Sequence, residues 1–263
     1  MWDSLGLEWK IAQKVLDHRK SLYQNGGMRL AERMSRLGTE TAFEVFAYAK
    51  ELERQGKDII HLEFGEPDFT TPSHIVETAI QALQDGQHHY SPSSGILELR
   101  EAIAEEIGSN LHISVHPDEV VVTPGAKPIM FFSLLSLAQR GDEVLYPDPG
   151  FPIYKSMIDY VGARAVPVPL REELSFRLDV DELVNSINSR TRMVILNSPN
   201  NPTGSVLSQD DLGRLAKVLV ERDVIVLSDE IYSHMLYEGQ HASIASFPGM
   251  KEKTIILNGF SKT

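Results

Sequence analysis

The chain has 263 residues, 42% of them hydrophobic and 24% charged, a globular composition with enough apolar mass for one large or two ordinary domains. A formal net charge of −12 excludes the lysine- and arginine-rich footprint that binding to a phosphate backbone needs, so no nucleic-acid partner is expected. The absence of cysteine excludes disulfides, thiolate metal sites and cysteine nucleophiles, and fits a cytoplasmic protein.

The first 36 residues depart from the acidic average: seven lysines and arginines face four carboxylates, a net charge of +3. They lack the continuous apolar core of a secretory signal, so residues 1–27 are read as a helical N-terminal extension, with Met28 as an alternative start. Helical patterns follow at 41–55, 73–84 and 95–107, joined by FGEPDFTTP and HYSPSSG, whose prolines and glycines mark ordered loops. The apolar stretch IMFFSLLSLA (129–138) is too short to span a bilayer, and no membrane partner is expected.

From residue 119 onward, short β-branched runs alternate with amphipathic ones, the signature of βαβ units and a mostly parallel sheet. Strands are predicted at 119–123, 143–147, 164–168, 192–197, 224–229 and 254–259, and helices at 126–139, 151–161, 179–188 and 208–221. Such continuous apolar strands are buried on both faces, and ligands of open α/β sheets sit at the strand carboxyl ends.

The loops at those ends carry the candidate chemistry. TPGAK (123–127) is a glycine turn that opens a helix, so the backbone N–H groups of Ala126 and Lys127 face a phosphate-sized space; taken alone, an ordinary strand-to-helix turn is the favoured reading. SPNNPTG (198–204) is a rigid loop that aims an asparagine, Asn201, and Asn201–Pro202 is a candidate cis bond; a plain type I turn is the alternative. SDEIY (228–232) ends an apolar strand on Asp229, either a helix cap or a carboxylate in search of a cationic or donor partner. NGFSKT (258–263) ends on Lys262, a surface lysine if taken singly, but costly at a buried strand end unless its charge is neutralised, as an imine would do. Anion cradle, amide, carboxylate with tyrosine, and lysine together suit one cofactor, pyridoxal 5'-phosphate. No metal site is expected.

These pieces, with GEPDF (65–69) and YSPSSGILELREAIA (90–104), resemble in order and spacing the class I/II aminotransferases of pyridoxal-phosphate fold type I, in particular the aspartate-aminotransferase-like branch. The resemblance runs from about Met28 to the last residue. It implies an α/β fold of three αβα layers on a mostly parallel sheet, with an incomplete second, small domain. Residues 28–75 would be the N-terminal arm and part of the small domain, and 76–263 the large cofactor-binding domain.

By the same resemblance, Lys262 would form the imine with the cofactor and shuttle the substrate α-proton. Asp229 would keep the pyridine nitrogen protonated. Tyr232 and Asn201 would hydrogen-bond the phenolate oxygen, Phe151 would stack on the ring and Ile231 would pack its other face. Gly125, Ala126, Lys127 and Ser261 would hold the phosphate. Tyr90 would reach the phosphate of the neighbouring subunit, which implies a homodimer, and Gly65 and Asn201 would border the substrate.

The implied reaction moves an amino group from an L-amino acid to a 2-oxo acid, aspartate and 2-oxoglutarate by default, by a ping-pong route through aldimine, quinonoid and ketimine. A same-fold lyase or decarboxylase, or an inert fragment, are the alternatives. Family members continue past the lysine to a phosphate-binding arginine, a further strand and a carboxylate-clamping arginine, so the chain is expected to be truncated. The strand that follows in the family lies between the segments matched by 119–123 and 254–258, and without it 119–123 lacks a ladder partner.

Overall fold

Five of the apolar runs assemble into one sheet in the computed structural model, which describes residues 30–38 and 41–262. The strands are β1 (Glu143–Asp148), β2 (Arg164–Pro169), β3 (Thr191–Asn197), β4 (Ile225–Asp229) and β5 (Thr254–Leu257). They run parallel in the order β2-β1-β3-β4-β5. The helical extension read over residues 1–27 lies outside the described residues.

Side chains alternate between the faces of a strand, so a strand covered on both sides must be apolar at consecutive positions. Leu145, Val194, Leu196 and Val226 point into one core with Val180 and Leu183 of helix α6 (Val180–Ser186) and Leu212, Leu215 and Leu219 of α7 (Gln209–Leu219). Their neighbours Val144, Tyr146, Met193, Ile195 and Leu227 point into the other, against Met130 and Leu134 of α4 (Lys127–Leu137) and Tyr154 and Ile158 of α5 (Ile153–Val161). Three layers, helix on sheet on helix, follow from that two-residue period, as anticipated.

Helix entries follow local chemistry. Asp179 caps α6 by accepting from the N–H groups of Asp181 and Glu182, and Ser208 and Asp211 form a reciprocal capping box at the start of α7. Helices α1 (Thr41–Arg54), α2 (Ser73–Gln84) and α3 (Leu97–Leu111) also fall on predicted stretches. Helix α3 runs four residues beyond its expected end and stops at His112 in the left-handed conformation.

One predicted strand is corrected. Residues 119–123 join no ladder: Pro117–Glu119 form a 3-10 turn, with the Glu119 side chain accepting from the His116 N–H at 2.7 Å. The Val120 and Val122 amides donate to the carbonyls of Pro117 and Ser94. A β-branched run becomes a strand only where a neighbouring edge offers complementary backbone groups, and among the described strands none lies beside it.

The chain divides into two compact units, one ending at Glu66 and the other beginning at Pro67. In the first, Phe64 packs against Phe43 and Phe46 with ring centroids 4.6 and 5.4 Å apart, and His61 bonds to Glu53 and Glu63. The sheet and everything built on it belong to the second. Among the described residues no helix is long and apolar enough to cross a membrane, and no cluster of His, Cys, Asp or Glu could hold a metal ion.

Candidate active site

Asp229 closes β4 on the same face as Leu227, so the two-residue period turns its carboxylate toward α5 rather than α7. It is buried, and Tyr154, itself fully buried on α5, donates its hydroxyl to Oδ2 at 2.5 Å. The Ile231 N–H reaches Oδ1 at 3.3 Å. Burial dominates this carboxyl and pushes its pKa up from 3.8 to about 6, the Tyr154 and Ile231 hydrogen bonds pull the other way, and the neighbouring Glu230 adds a small upward push. Burial likewise raises the Tyr154 and Tyr232 phenols, with the Asp229 charge adding to it.

The Asn197 side chain joins two strand ends. Its Nδ2 donates to the Asp229 carbonyl at 3.1 Å, while its Oδ1 accepts from the Asn201 N–H at 2.7 Å. This bond fixes the start of the SPNNPTG loop, in which the Ser198–Pro199 and Asn201–Pro202 peptides are both cis. The Asn201 Nδ2 then faces the Tyr232 hydroxyl at 3.4 Å. Two donors therefore stand side by side near the buried carboxylate.

Ala126, Phe151, Ile231 and Tyr232 all border the apolar cluster that contains Tyr154, and the Phe151 ring meets Tyr154 edge-on at 5.8 Å. Gly125 has φ +89°, a conformation that favours glycine, and a Cβ there would meet open space. It turns the chain into α4, which begins at Lys127, carries Pro128 in its first turn and has the Ile129 N–H donating to the Ala126 carbonyl at 3.1 Å. Ser261 and Lys262 follow β5, whose Leu257 is in register with Asp229; Ser261 is exposed and Lys262 half-buried. Tyr90, between α2 and α3, is fully exposed. Gly65 lies in the first unit, with nothing crowding its Cα.

The sequence reading missed Tyr154 and Asn197. Tyr154 sits in an amphipathic helix where it is indistinguishable from a packing aromatic, and only the three-dimensional proximity of α5 to the end of β4 reveals its role. Asn197 could have been found, since an asparagine ending an otherwise apolar strand needs partners for its amide. A groove of about 630 Å³ opens at the opposite, amino ends of the strands, lined by Arg190, Arg192 and Asp223 among others. It is remote from Asp229 and takes no part in this constellation.

Tyr154→Phe tests the pairing. It strips the buried carboxylate of its strongest donor, and removing such a partner costs about 1–3 kcal/mol. Because the Tyr154 bond holds the Asp229 pKa down, the variant raises it further. The stability loss should therefore be largest above pH 6, where the carboxylate is ionised, and shrink toward pH 4; urea unfolding at the two pH values measures it.

A parallel sheet covered by helices on both faces, with a polar constellation gathered at its strand carboxyl ends, defines a doubly wound α/β protein of the ligand-binding kind. Residues 57–263 match the family described as aminotransferase class I and II, and the chain belongs to that family. It is 48% identical over 209 residues to an aspartate aminotransferase of Pyrococcus abyssi, covering 79% of this chain and 54% of that one. It is 43% identical over 238 residues to aromatic-amino-acid aminotransferase 2 of Thermococcus litoralis, covering 90% and 60%. Among solved structures, an aspartate aminotransferase from Thermus thermophilus with maleate superposes with a TM-score of 0.85 at 40% identity, over 89% of this chain and 61% of that one. The chain thus spans a little over half the length of the relatives it matches.

Proposed function

We propose that this chain carries the cofactor-binding part of an aminotransferase that moves an amino group from an L-amino acid to a 2-oxo acid with pyridoxal 5'-phosphate. The observation that supports it most is Asp229: a buried carboxylate with hydroxyl and amide donors, no cationic partner among its recorded contacts, and a pKa raised by burial. Asp229 would there hold a protonated pyridine nitrogen, whose positive charge would balance the carboxylate. The other donors fit the same group, because Asn201 and Tyr232 offer an N–H and an O–H to a phenolic oxygen and Gly125 leaves the start of α4 open to a phosphate.

When bound, pyridoxal phosphate supplies an aldehyde that condenses with a primary amine and a ring that withdraws electrons from the carbon bearing the amino group. The chain's residues do the rest. Asp229 holds the proton on the ring nitrogen, Tyr154 and the Ile231 N–H hold Asp229, and Asn197 holds the loop that aims Asn201. Phe151 and Ile231 confine the ring between apolar surfaces. The N–H groups of Ala126 and Lys127, with the Ser261 hydroxyl, bind the phosphate. Lys262 Nζ would be the amine that holds the cofactor's aldehyde, and it would take and return a proton at the substrate α-carbon.

Tyr90 reaches the phosphate of a second copy in a homodimer, and Asn201 borders the substrate. Residues 28–75 form the arm and part of a small domain, and 76–263 the cofactor domain. The names of the relatives favour aspartate, then an aromatic amino acid, as amino donor. The test is spectroscopic: protein loaded with pyridoxal phosphate and given L-aspartate should convert to the pyridoxamine form, and 2-oxoglutarate should reverse the change. Release of ammonia without an acceptor would reassign the reaction to a lyase.

A further inference from the structure

Asp229 and Glu230 are consecutive buried carboxylates held by different partners. Asp229 meets Tyr154 on α5, whereas Glu230 takes no part in the chemistry described above, yet it is as deeply buried. Its Oε1 accepts from the Ser228 hydroxyl at 2.7 Å and the Ser243 hydroxyl at 2.6 Å, and its Oε2 lies 2.7 Å from His241 Nε2. A carboxylate accepts, so Nε2 carries the hydrogen in that contact. The other ring nitrogen, Nδ1, is buried without a hydrogen-bond partner.

Burying an ionisable side chain, two hydroxyls and a half-satisfied imidazole is expensive where an apolar residue would pack. What the arrangement achieves is connection. Ser228 belongs to β4, where it is in register with Ile256 of β5. Ser243 caps the 3-10 turn Ile244–Ser246, whose Ile244 is fully buried in the α7 core. The Glu230 N–H donates to the Leu257 carbonyl at 2.8 Å, at the last residue of β5 before the segment that leads to Lys262. The Glu230 side chain therefore ties the end of β4 to the 241–246 loop, and its backbone N–H ties that same residue to the end of β5, so the side-chain partners fix where the N–H meets β5.

We propose that Glu230 is a positioning residue: with Ser228, His241 and Ser243 it clamps the end of β5 to the end of β4 and so sets the placement of Lys262 relative to Asp229. The proposal rests on the assignment of Lys262 and Asp229 above. Since a merely structural carboxylate would also destabilise the protein when altered, Glu143 is the comparison. It is equally buried and bonded to Asn188, Arg190 and Arg164, but lies at the amino end of β1.

The experiment uses the whole chain and the variants Glu230→Gln and Glu143→Gln, with Ser243→Ala as a milder break should Glu230→Gln fail to fold. Without cofactor, hydrogen exchange in peptides covering 254–262 should quicken about tenfold in Glu230→Gln and stay unchanged in Glu143→Gln, as expected for losing one buried charged hydrogen-bond set at one end of the sheet only. With pyridoxal phosphate added, borohydride trapping on Lys262 should need about tenfold more cofactor in Glu230→Gln and none extra in Glu143→Gln. Equal exchange in the two variants overturns the clamp. So does quickened exchange with unchanged trapping, since the cluster would then stabilise without positioning. Wild-type protein that traps no cofactor on Lys262 would sink the cofactor assignment instead, and the exchange comparison would still decide the clamp.

Discussion

Replacing Lys262 with alanine is expected to abolish covalent capture of pyridoxal phosphate, with the borohydride-fixed label lost from the peptide containing residue 262. Several other lysines are committed elsewhere. Lys155 pairs with Asp159 and Lys251 with Glu119, while Lys253 donates to the carbonyls of Leu219, the last residue of α7, and of Val220 and Arg222 just after it. Lys262 alone among these follows a strand whose last residue is in register with Asp229. Lys262→Arg should fail equally, because a guanidinium keeps the charge but not the nucleophilic amine. Any turnover should fall by at least about a thousandfold, the amine being both anchor and proton carrier. Undiminished visible absorbance in Lys262→Ala, with label spread over the remaining lysines, would refute the assignment.

Asp229→Asn should separate stability from function. The folded-state pKa of about 6 stands above the ordinary 3.8, so the folded protein holds this proton more tightly than the unfolded chain. Stability then falls as pH rises from about 4 to about 6, and above that window the ionised carboxylate carries a penalty on the order of 3 kcal/mol. Asparagine removes the charge and keeps the local bonding: its Oδ1 accepts from the Ile231 N–H and its Nδ2 donates to the Tyr154 hydroxyl. The cofactor-free variant should therefore be more stable than the parent by about 1–3 kcal/mol at pH 8 and indistinguishable from it at pH 4, as read from urea midpoints. Cofactor-dependent turnover should drop at least about a hundredfold, because an amide cannot hold a proton on a ring nitrogen by charge. A variant less stable than the parent at pH 8 would show that Asp229 already has adequate partners. Carboxylates placed for a ligand commonly weaken the protein that awaits it.

The sheet was legible because its signal is strictly local. Runs such as VLYP and MVILN are apolar at consecutive positions, which only strands covered on both faces require, and the capped entry at Ser208 marked α7 to within a residue. Residues 119–123 carried the same local signal and are not a strand, since pairing depends on a neighbour that five residues cannot specify. The candidate site divides similarly. Asp229, Asn201 and Tyr232 stand in loops whose prolines, glycines and polar residues announce them, and the structure brings them together with Phe151 and Ala126 around one apolar cluster. Tyr154 and Glu230 were opaque for opposite reasons. Tyr154 looks like core and is core except for one hydroxyl, whereas Glu230 looks like a surface residue beside a more conspicuous aspartate and is as deeply buried as that aspartate.

The ladder that places Asn197 opposite Asp229 and Asp229 opposite Leu257 also limits how this protein can vary. Adding or deleting a single residue within β3, β4 or β5 would rotate the rest of that strand to the other face; near the start of β4 it would send the Asp229 carboxylate toward α7 and Leu227 out of its core. Length changes between β4 and β5, for example in the exposed stretch around residues 238–240, leave that parity untouched. Insertions and deletions tolerated by folding and function should therefore collect in the connections and be purged from these three strands even where substitutions are accepted, a pattern that a deletion scan across residues 191–257 would display directly.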